Sequence, residues 1–463
     1  MGVDLTIEEV IRETAGTALG VLEPSARLSR ISTDTRLLER NDFFVTLIGK
    51  RMDGHDFIEE AMEKGVRLFL VSNQKKIKSE WLKSAGFIRV KDTLAAYGEL
   101  ARHYRSKFKI PLIAITGSSG KTTVKELTAH LLSAKFKVLK NRGTENNLIG
   151  VPKTLFQLDE ATEVAVLEIG TSLPGEIERL SWMTRPQMGI LTQIGYSHLE
   201  GLKSLEGVRE EKLSLVKNLE RGGVLILNAE DSMLQKVKSG VHRVVRVGFD
   251  AAHADLAAED IQFTEQGTRF RLKGHGLLET ALLGRHNVLN CLLAIEAALA
   301  FGVEFDAIKS KLADFKAIPG RLFLKNIEGI VFLDDSYNSN PTSFQAAVET
   351  LKNFKSSGKK GVVCGDMLEL GDLSKELHRN AGRWLAEAGF DFVVAVGTDS
   401  AYLVEEAIKK DFPKEMIYHA KDSVAAGGIC RKLVSQGDVV LVKGSRGMQM
   451  EKIFECFINS STL

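Results

Sequence analysis

The sequence predicts an α/β chain of three domains. Three observations carry this. Near-continuous apolar runs end in glycine or a small polar residue, stretches of helical spacing lie between them, and the chain has 463 residues. Such runs suit strands buried on both faces, as in parallel sheets. Their alternation with helices describes doubly wound units. At roughly 150 residues per domain, the length suits about three. The expected plan is a central domain of phosphate-loop type built on a doubly wound parallel sheet, then a Rossmann-like C-terminal domain.

Residues 1–108 form the first expected domain, mixing short strands and helices. Residues 42–49 and 66–72 read as strands, and 55–65 between them as a helix stopping at Gly65. Residues 94–108 have helical spacing and end just before Pro111. The second domain, 109–318, opens with the apolar run 110–117, followed by a helix over 121–135. Further buried strands are expected at 164–170, 188–195 and 224–231, and a long helix over 285–302 with Gly302 as its stop. The third domain, 319–463, begins at the Pro319-Gly320 turn and repeats the pattern with strands at 361–366, 392–397 and 439–445. The dinucleotide fingerprint G-x-G-x-x-G is absent from all three.

Composition narrows the function classes. A hydrophobic fraction of 44% with 26% charged residues excludes wholesale disorder and collagen-like architecture. A formal net charge of +2 gives no sequence-wide footprint for nucleic acid. No apolar stretch reaches membrane-spanning length, so no membrane insertion is expected. The first residues are acidic and lack an apolar signal region. Cys291, Cys364, Cys430 and Cys456 are far apart and form no C-x-x-C pair. A reduced, cytoplasmic protein with inert buried thiols is expected.

The strongest local motif is Thr116, Gly117, Ser118, Ser119, Gly120, Lys121, Thr122, Thr123, set between a buried strand and a helix. Its glycines let backbone N–H groups turn toward phosphate oxygens, and the helix N-terminus adds partial positive charge. Lys121 can reach the β- and γ-phosphates and the Thr122 hydroxyl can ligate Mg²⁺. The spacing departs from the standard loop, which would place glycine where Ile115 stands. Glu168 ends a strand, where α/β sheets place ligands, and a carboxylate there suits Mg²⁺. It also reads as a charged strand exit. His198 follows the next strand and reads either as a metal ligand or as a polar loop residue. Lys212, by residue type alone, is a solvated helix residue.

The order of these elements is more specific than any one of them. The phosphate loop, Glu168, His198-Leu199-Glu200 and a lysine fourteen residues after the histidine resemble the central domain of the Mur ligases, the ATP-dependent amide ligases of peptidoglycan synthesis. Gly284-Arg285-His286-Asn287-Val288-Leu289-Asn290, Pro319-Gly320-Arg321, the run from Asp334 to Pro341 and Lys443-Gly444-Ser445-Arg446-Gly447 resemble later segments of that family, in the same order. In the first domain, Ser32-Thr33-Asp34-Thr35-Arg36 and the segment 47–57 resemble the family's UDP-sugar-binding domain. Asn146-Asn147-Leu148-Ile149-Gly150-Val151-Pro152 is similar to the branch that adds D-alanyl-D-alanine.

The resemblance implies a full set of roles. Lys121, Lys212 and His198 would be catalytic, and Thr122, Glu168, His198 and Lys212 would serve two Mg²⁺ ions, with Lys212 carbamylated. ATP would be held by residues 117–123, with Asn287 and Asn290 at the base, Arg321 near the phosphates and Asp335 at the ribose. Thr33, Asp34, Thr35, Arg36, Lys50, Arg51, Asn146, Asn147, Tyr337 and Asn338 would meet the sugar-peptide substrate. The implied partners are UDP-N-acetylmuramoyl-tripeptide and D-alanyl-D-alanine, acted on by a monomer. The alternatives are another Mur-type ligase or a folylpolyglutamate synthase-like ligase.

Overall fold

The computed structural model describes residues 3–49, 51–238 and 240–458, so Lys50 lies outside the described residues. Three sheets organise the chain. The first contains β1 (Thr17–Gly20), β2 (Ile31–Ser32), β3 (Phe43–Val45), β4 (Leu68–Ser72) and β5 (Gly86–Val90), in the order β1-β5-β4-β3-β2. Its strands are parallel except β1, which runs against β5. Phe44, Phe69 and Phe87 are buried beneath it, with Phe69 stacked on Phe87 at 5.0 Å. Aromatic packing of this kind supplies much of a small sheet's burial. The segment expected as one helix at 55–65 starts as a tighter turn, Gly54–Phe57, before the helix Ile58–Glu63. Asp53 causes this, because its carboxylate takes both the backbone N–H and the ring Nδ1 of His55.

The central sheet contains β6 (Leu112–Thr116), β7 (Val138–Lys140), β8 (Val164–Glu168), β9 (Met188–Leu191), β10 (Val224–Asn228), β11 (Arg243–Gly248), β12 (Leu256–Thr264), β13 (Gly267–Leu272) and β14 (Gly276–Thr280). Its order is β14-β13-β12-β11-β10-β9-β6-β8-β7. From β7 to β12 all neighbours are parallel. The sequence reading left β12, β13 and β14 unassigned; they add an antiparallel meander at one edge. The chain turns back on itself around β6, which lies between β8 and β9, so the crevice at the carboxyl end of β6 is a topological switch point. The apolar runs 188–195 and 224–231 outlast their strands, since β9 stops at Leu191 and β10 at Asn228. Their last residues form loops at that edge.

The third sheet contains β15 (Phe323–Ile327), β16 (Ile330–Asp335), β17 (Lys360–Gly365), β18 (Phe392–Val396), β19 (Ile417–Ala420) and β20 (Val439–Lys443), ordered β15-β16-β20-β17-β18-β19. Only β15 is antiparallel to its neighbour. The helix Thr93–Ser106 joins the first domain to the second: Tyr104 donates to the Leu158 carbonyl at 2.8 Å and Arg179 pairs with Glu99 at 2.9 Å. Cys291, Cys364 and Cys430 are buried, and burial pushes their thiols up to about 12. Cys456 differs from expectation in being only half-buried.

Candidate active site

β6 ends at Thr116 and the helix Lys121–Leu132 begins after a four-residue turn. Ile115 explains the unusual spacing: it belongs to β6 and is fully buried, so the tight turn starts at Gly117. A Cβ on Gly117 would lie 1.9 Å from Thr192 Oγ1, and Gly120, at φ +82°, would press one within 2.5 Å of Asn290 Oδ1. A side chain at either position would have to displace its neighbour, and at Gly120 would also strain the backbone. Ser118 Oγ donates to the Gly195 carbonyl at 2.8 Å and accepts from Ser197 Oγ at 3.0 Å. This ties the phosphate loop to the segment leading to His198. Thr192 Oγ1 donates to the Ser119 carbonyl, and Thr123 is largely buried. Lys121 Nζ donates to the Gly117 carbonyl at 2.8 Å. Burial lowers its amine, with Glu168 opposing and Arg321 reinforcing the shift.

Glu168, at the end of β8, has both carboxylate oxygens engaged. Thr122 Oγ1 donates to one at 2.7 Å and Asn146 Nδ2 to the other at 2.6 Å. Asn141 grips the Glu168 backbone twice, at N–H and at C=O, each at 3.0 Å. Buried Lys125 in turn donates to the Asn141 and Gly143 carbonyls at 2.8 Å. Lys212 is not the solvated residue its type suggests, since it is 1% exposed. Its amine lies well below the ordinary 10.5, chiefly through burial, with Lys121 reinforcing and Glu211 and Glu168 opposing. The neighbouring Glu211 accepts the Gly175 and Ile177 N–H groups at 2.7 and 2.8 Å, capping the helix Glu176–Thr184.

Across the cleft, the C-terminal domain supplies the opposite wall. Arg321 Nη2 donates to Thr122 Oγ1 at 2.8 Å and its guanidinium lies over the Tyr337 ring. Tyr337 OH donates to Thr144 Oγ1 at 2.8 Å, and Asn340 Nδ2 to the Ser118 carbonyl at 3.3 Å. Lys443 pairs with Asp335 at 2.5 Å and also donates to the Asn338 carbonyl. Asn290 donates to Asn287 Oδ1 at 2.8 Å, and Asn287 to the Leu283 carbonyl. Burial holds the His286 imidazole down at about 4. The two walls enclose a cavity of about 460 Å³.

Of the residues singled out in sequence, the phosphate-loop residues from Ser118 to Thr123, Glu168, His198, Asn146, Asn147, Asn287, Asn290, Arg321, Asp335, Tyr337 and Asn338 line this cavity. Gly117 and Lys212 are not among its lining residues, although Lys212 is within electrostatic reach of Lys121 and Glu168. Thr33, Asp34, Thr35, Arg36 and Arg51 are not brought to it; they stay in the first domain. There Asp34 pairs with Arg36 at 2.7 Å and caps the turn Thr35–Leu37, while the Thr35 carbonyl accepts from Lys64. The sequence reading missed Lys125, Asn141, Glu211 and Glu369. The polar segment 141–147 after a strand was a usable signal for Asn141; the others depend on distant partners.

The donor set suits a hard cation. Among the described residues no three His, Cys, Asp or Glu side chains cluster as a metal cage. The Thr122 hydroxyl and Glu168 carboxylate lie together at the phosphate loop, as a phosphate-bound Mg²⁺ would use them. Family profiles match three successive stretches: "Mur ligase family, catalytic domain" at 27–105, "Mur ligase middle domain" at 115–298, and "Mur ligase, glutamate ligase domain" at 320–446. A Bacillus subtilis UDP-N-acetylmuramoyl-tripeptide–D-alanyl-D-alanine ligase is 35% identical, with 98% of each chain covered. The chain belongs to the Mur ligase family. A crystal structure of MurF from Acinetobacter baumannii superposes on this Mur ligase with a TM-score of 0.89, at 30% identity and 98% coverage of both chains. MurF from Thermotoga maritima, crystallised in complex with ADP, gives 0.83 at 28% identity, covering 92% of this chain and 96% of its own.

Proposed function

We propose that this Mur ligase joins D-alanyl-D-alanine to UDP-N-acetylmuramoyl-tripeptide, converting ATP to ADP and phosphate, in peptidoglycan precursor synthesis. The observation that carries this is the shared cavity, in which Lys121 and the Thr122–Glu168 pair face Arg321, Asp335 and Lys443 of another domain. The name of the Bacillus subtilis relative supplies the substrate pair.

An amide bond between a carboxylate and an amine in water needs an activated carboxylate. A tripeptide carboxylate oxygen attacks the γ-phosphorus of ATP, and the bond to the β-bridging oxygen breaks with its electrons leaving on ADP. The resulting acyl phosphate is attacked at carbon by the dipeptide amine. The carbon–oxygen bond then breaks, phosphate leaves, and the nitrogen loses a proton. Two anions meet in the first step. Lys121 exchanges the Gly117 carbonyl for phosphate oxygens, and Arg321 adds a second cation from the opposite wall. The Thr122 hydroxyl and Glu168 would hold Mg²⁺, which when bound neutralises phosphate charge. Asn146 and Asn141 keep Glu168 aimed at that position. Asn287, Asn290 and Asp335 take the base and ribose end.

Lys212 fits carbamylation. Its burial and the charge of Lys121 favour the neutral amine, the form that adds CO₂ and releases a proton. The product is an anion beside Lys121 where a second cation stood. The first domain, with Thr33 to Arg36, Lys50 and Arg51, takes the UDP-sugar. The enzyme works as a cytoplasmic monomer, and among the described residues no helix is long and apolar enough to cross a membrane.

The test is phosphate release from Mg-ATP with the UDP-tripeptide, with and without D-alanyl-D-alanine. Release that needs both, with a pentapeptide product by mass, is expected. Release only with another amine or precursor would move the substrate assignment and keep the ligase.

A further inference from the structure

His198 and Glu369 face each other across the boundary between the central and C-terminal domains. The His198 Nδ1 to Glu369 Oε2 distance is 2.6 Å, and the Glu200 N–H donates to the Glu369 carbonyl at 3.3 Å. Both residues are non-glycine and both sit in the left-handed region, His198 at φ +53° and Glu369 at φ +64°. Strained backbone of this kind persists where surrounding structure enforces it. Here each side is braced. The loop before His198 is tied to the phosphate loop through Ser197 and Ser118. The loop carrying Glu369 is held by the Met367 N–H on His378 Nε2 at 3.1 Å and the Leu368 N–H on Ser445 Oγ at 2.8 Å.

The contact is a poor stability device. The Glu369 side chain is 54% exposed, and exposed pairs contribute little. It does fix the chemistry of the ring. A carboxylate on Nδ1 requires the proton there, so in the neutral ring the lone pair lies on Nε2. Nε2 has no hydrogen-bond partner among the described residues, and His198 lines the cavity with Thr122 and Glu168. Histidines that serve metals commonly donate their other nitrogen to such a carboxylate.

We propose that Glu369 is a positioning residue for the central domain's metal site. Delivered by the C-terminal domain, it holds His198 in the tautomer and orientation that present Nε2 to the cavity, so the site is complete only when the two domains meet. This rests on the reading of His198 as a metal residue.

The test is a double-mutant cycle on Mn²⁺ affinity, read by electron paramagnetic resonance with full-length protein and saturating ADP, alongside ADP affinity measured in chelator. Glu369→Ala is expected to weaken Mn²⁺ binding about tenfold or more, with chelator ADP affinity unchanged. Glu369→Gln should recover part of the loss, because its amide oxygen still accepts from Nδ1. In a His198→Ala background, Glu369→Ala should add nothing. Wild-type Mn²⁺ affinity in Glu369→Ala beside a weakened His198→Ala would overturn the proposal while sparing the role of His198. Independent, multiplying effects of the two substitutions would overturn it too, as would loss of metal-free ADP binding in Glu369→Ala. Wild-type Mn²⁺ affinity in His198→Ala would instead remove His198 from the metal site and the proposal with it.

Discussion

The motif residues of the first domain and those of the nucleotide cleft are drawn from the same side-chain types and used in opposite ways. In the first domain the charged and polar groups turn onto their own backbone. Asp34 caps its own turn, Asp53 binds His55, and His55 Nε2 accepts the Ser72 N–H at 2.9 Å. In the cleft, like charges are crowded. Lys212 is buried and Lys121 half-buried; burial lowers both amines, Lys121 lowers that of Lys212 further, and Arg321 that of Lys121. A polar motif that satisfies itself fixes the shape of its loop before a ligand arrives. One that leaves buried charge in need of an anion awaits a ligand.

The sharpest way to break this contrast is at Lys121. Lys121→Ala should lower phosphate release at least about 1,000-fold, on the scale of losing a main cation in phosphoryl transfer, while thermal unfolding barely moves. Lys212→Ala comes next, with a loss of about 100-fold. Short carboxylic acids should restore part of that rate, and wild-type enzyme in CO₂-depleted buffer should slow. Failure of both would leave Lys212 a structural lysine.

The first domain should respond in stability and substrate binding instead. His55→Ala orphans the buried Ser72 N–H and should cost about 1–3 kcal/mol in urea unfolding, with KM rising for the UDP-substrate and not for ATP. The smallest effect is in acid. The carboxyl of Glu9 is partly buried, which opposes ionisation, but bonds from Lys107, the Thr6 N–H and His103 outweigh this and lower it from 4.5 to about 2. A depressed folded pKa stabilises above the unfolded value, so this contribution is complete above about pH 4.5 and is lost as pH falls toward 2. Glu9→Gln should flatten the urea midpoint over that window and leave it unchanged in slope near neutrality.

Much of this was legible in the sequence, for identifiable reasons. Strands such as β6, β8 and β20 are buried on both faces, so their apolar runs are continuous. The edge pieces were not legible. β1 is the short run Thr17–Gly20 with mostly exposed side chains, and β13 alternates buried and exposed residues beside charged neighbours. The phosphate loop was readable because its parts are adjacent in sequence. Lys212 was readable only through spacing to other motifs, since a helix lysine carries no local mark of burial. Glu369 meets His198 from 171 residues away, and nothing in either local segment announces the other. Lys125 looks like any helix lysine until the loop at 141–143 is placed on it.

The central claim is that this two-walled cavity activates a carboxylate by phosphorylation. Running the reaction with UDP-tripeptide whose terminal carboxylate carries ¹⁸O at both oxygens, and weighing the released phosphate, tests it most directly. One ¹⁸O per phosphate is the result expected, because the attacking oxygen leaves with phosphorus when the amine takes the acyl carbon. Phosphate free of ¹⁸O, formed alongside the amide product, would contradict it.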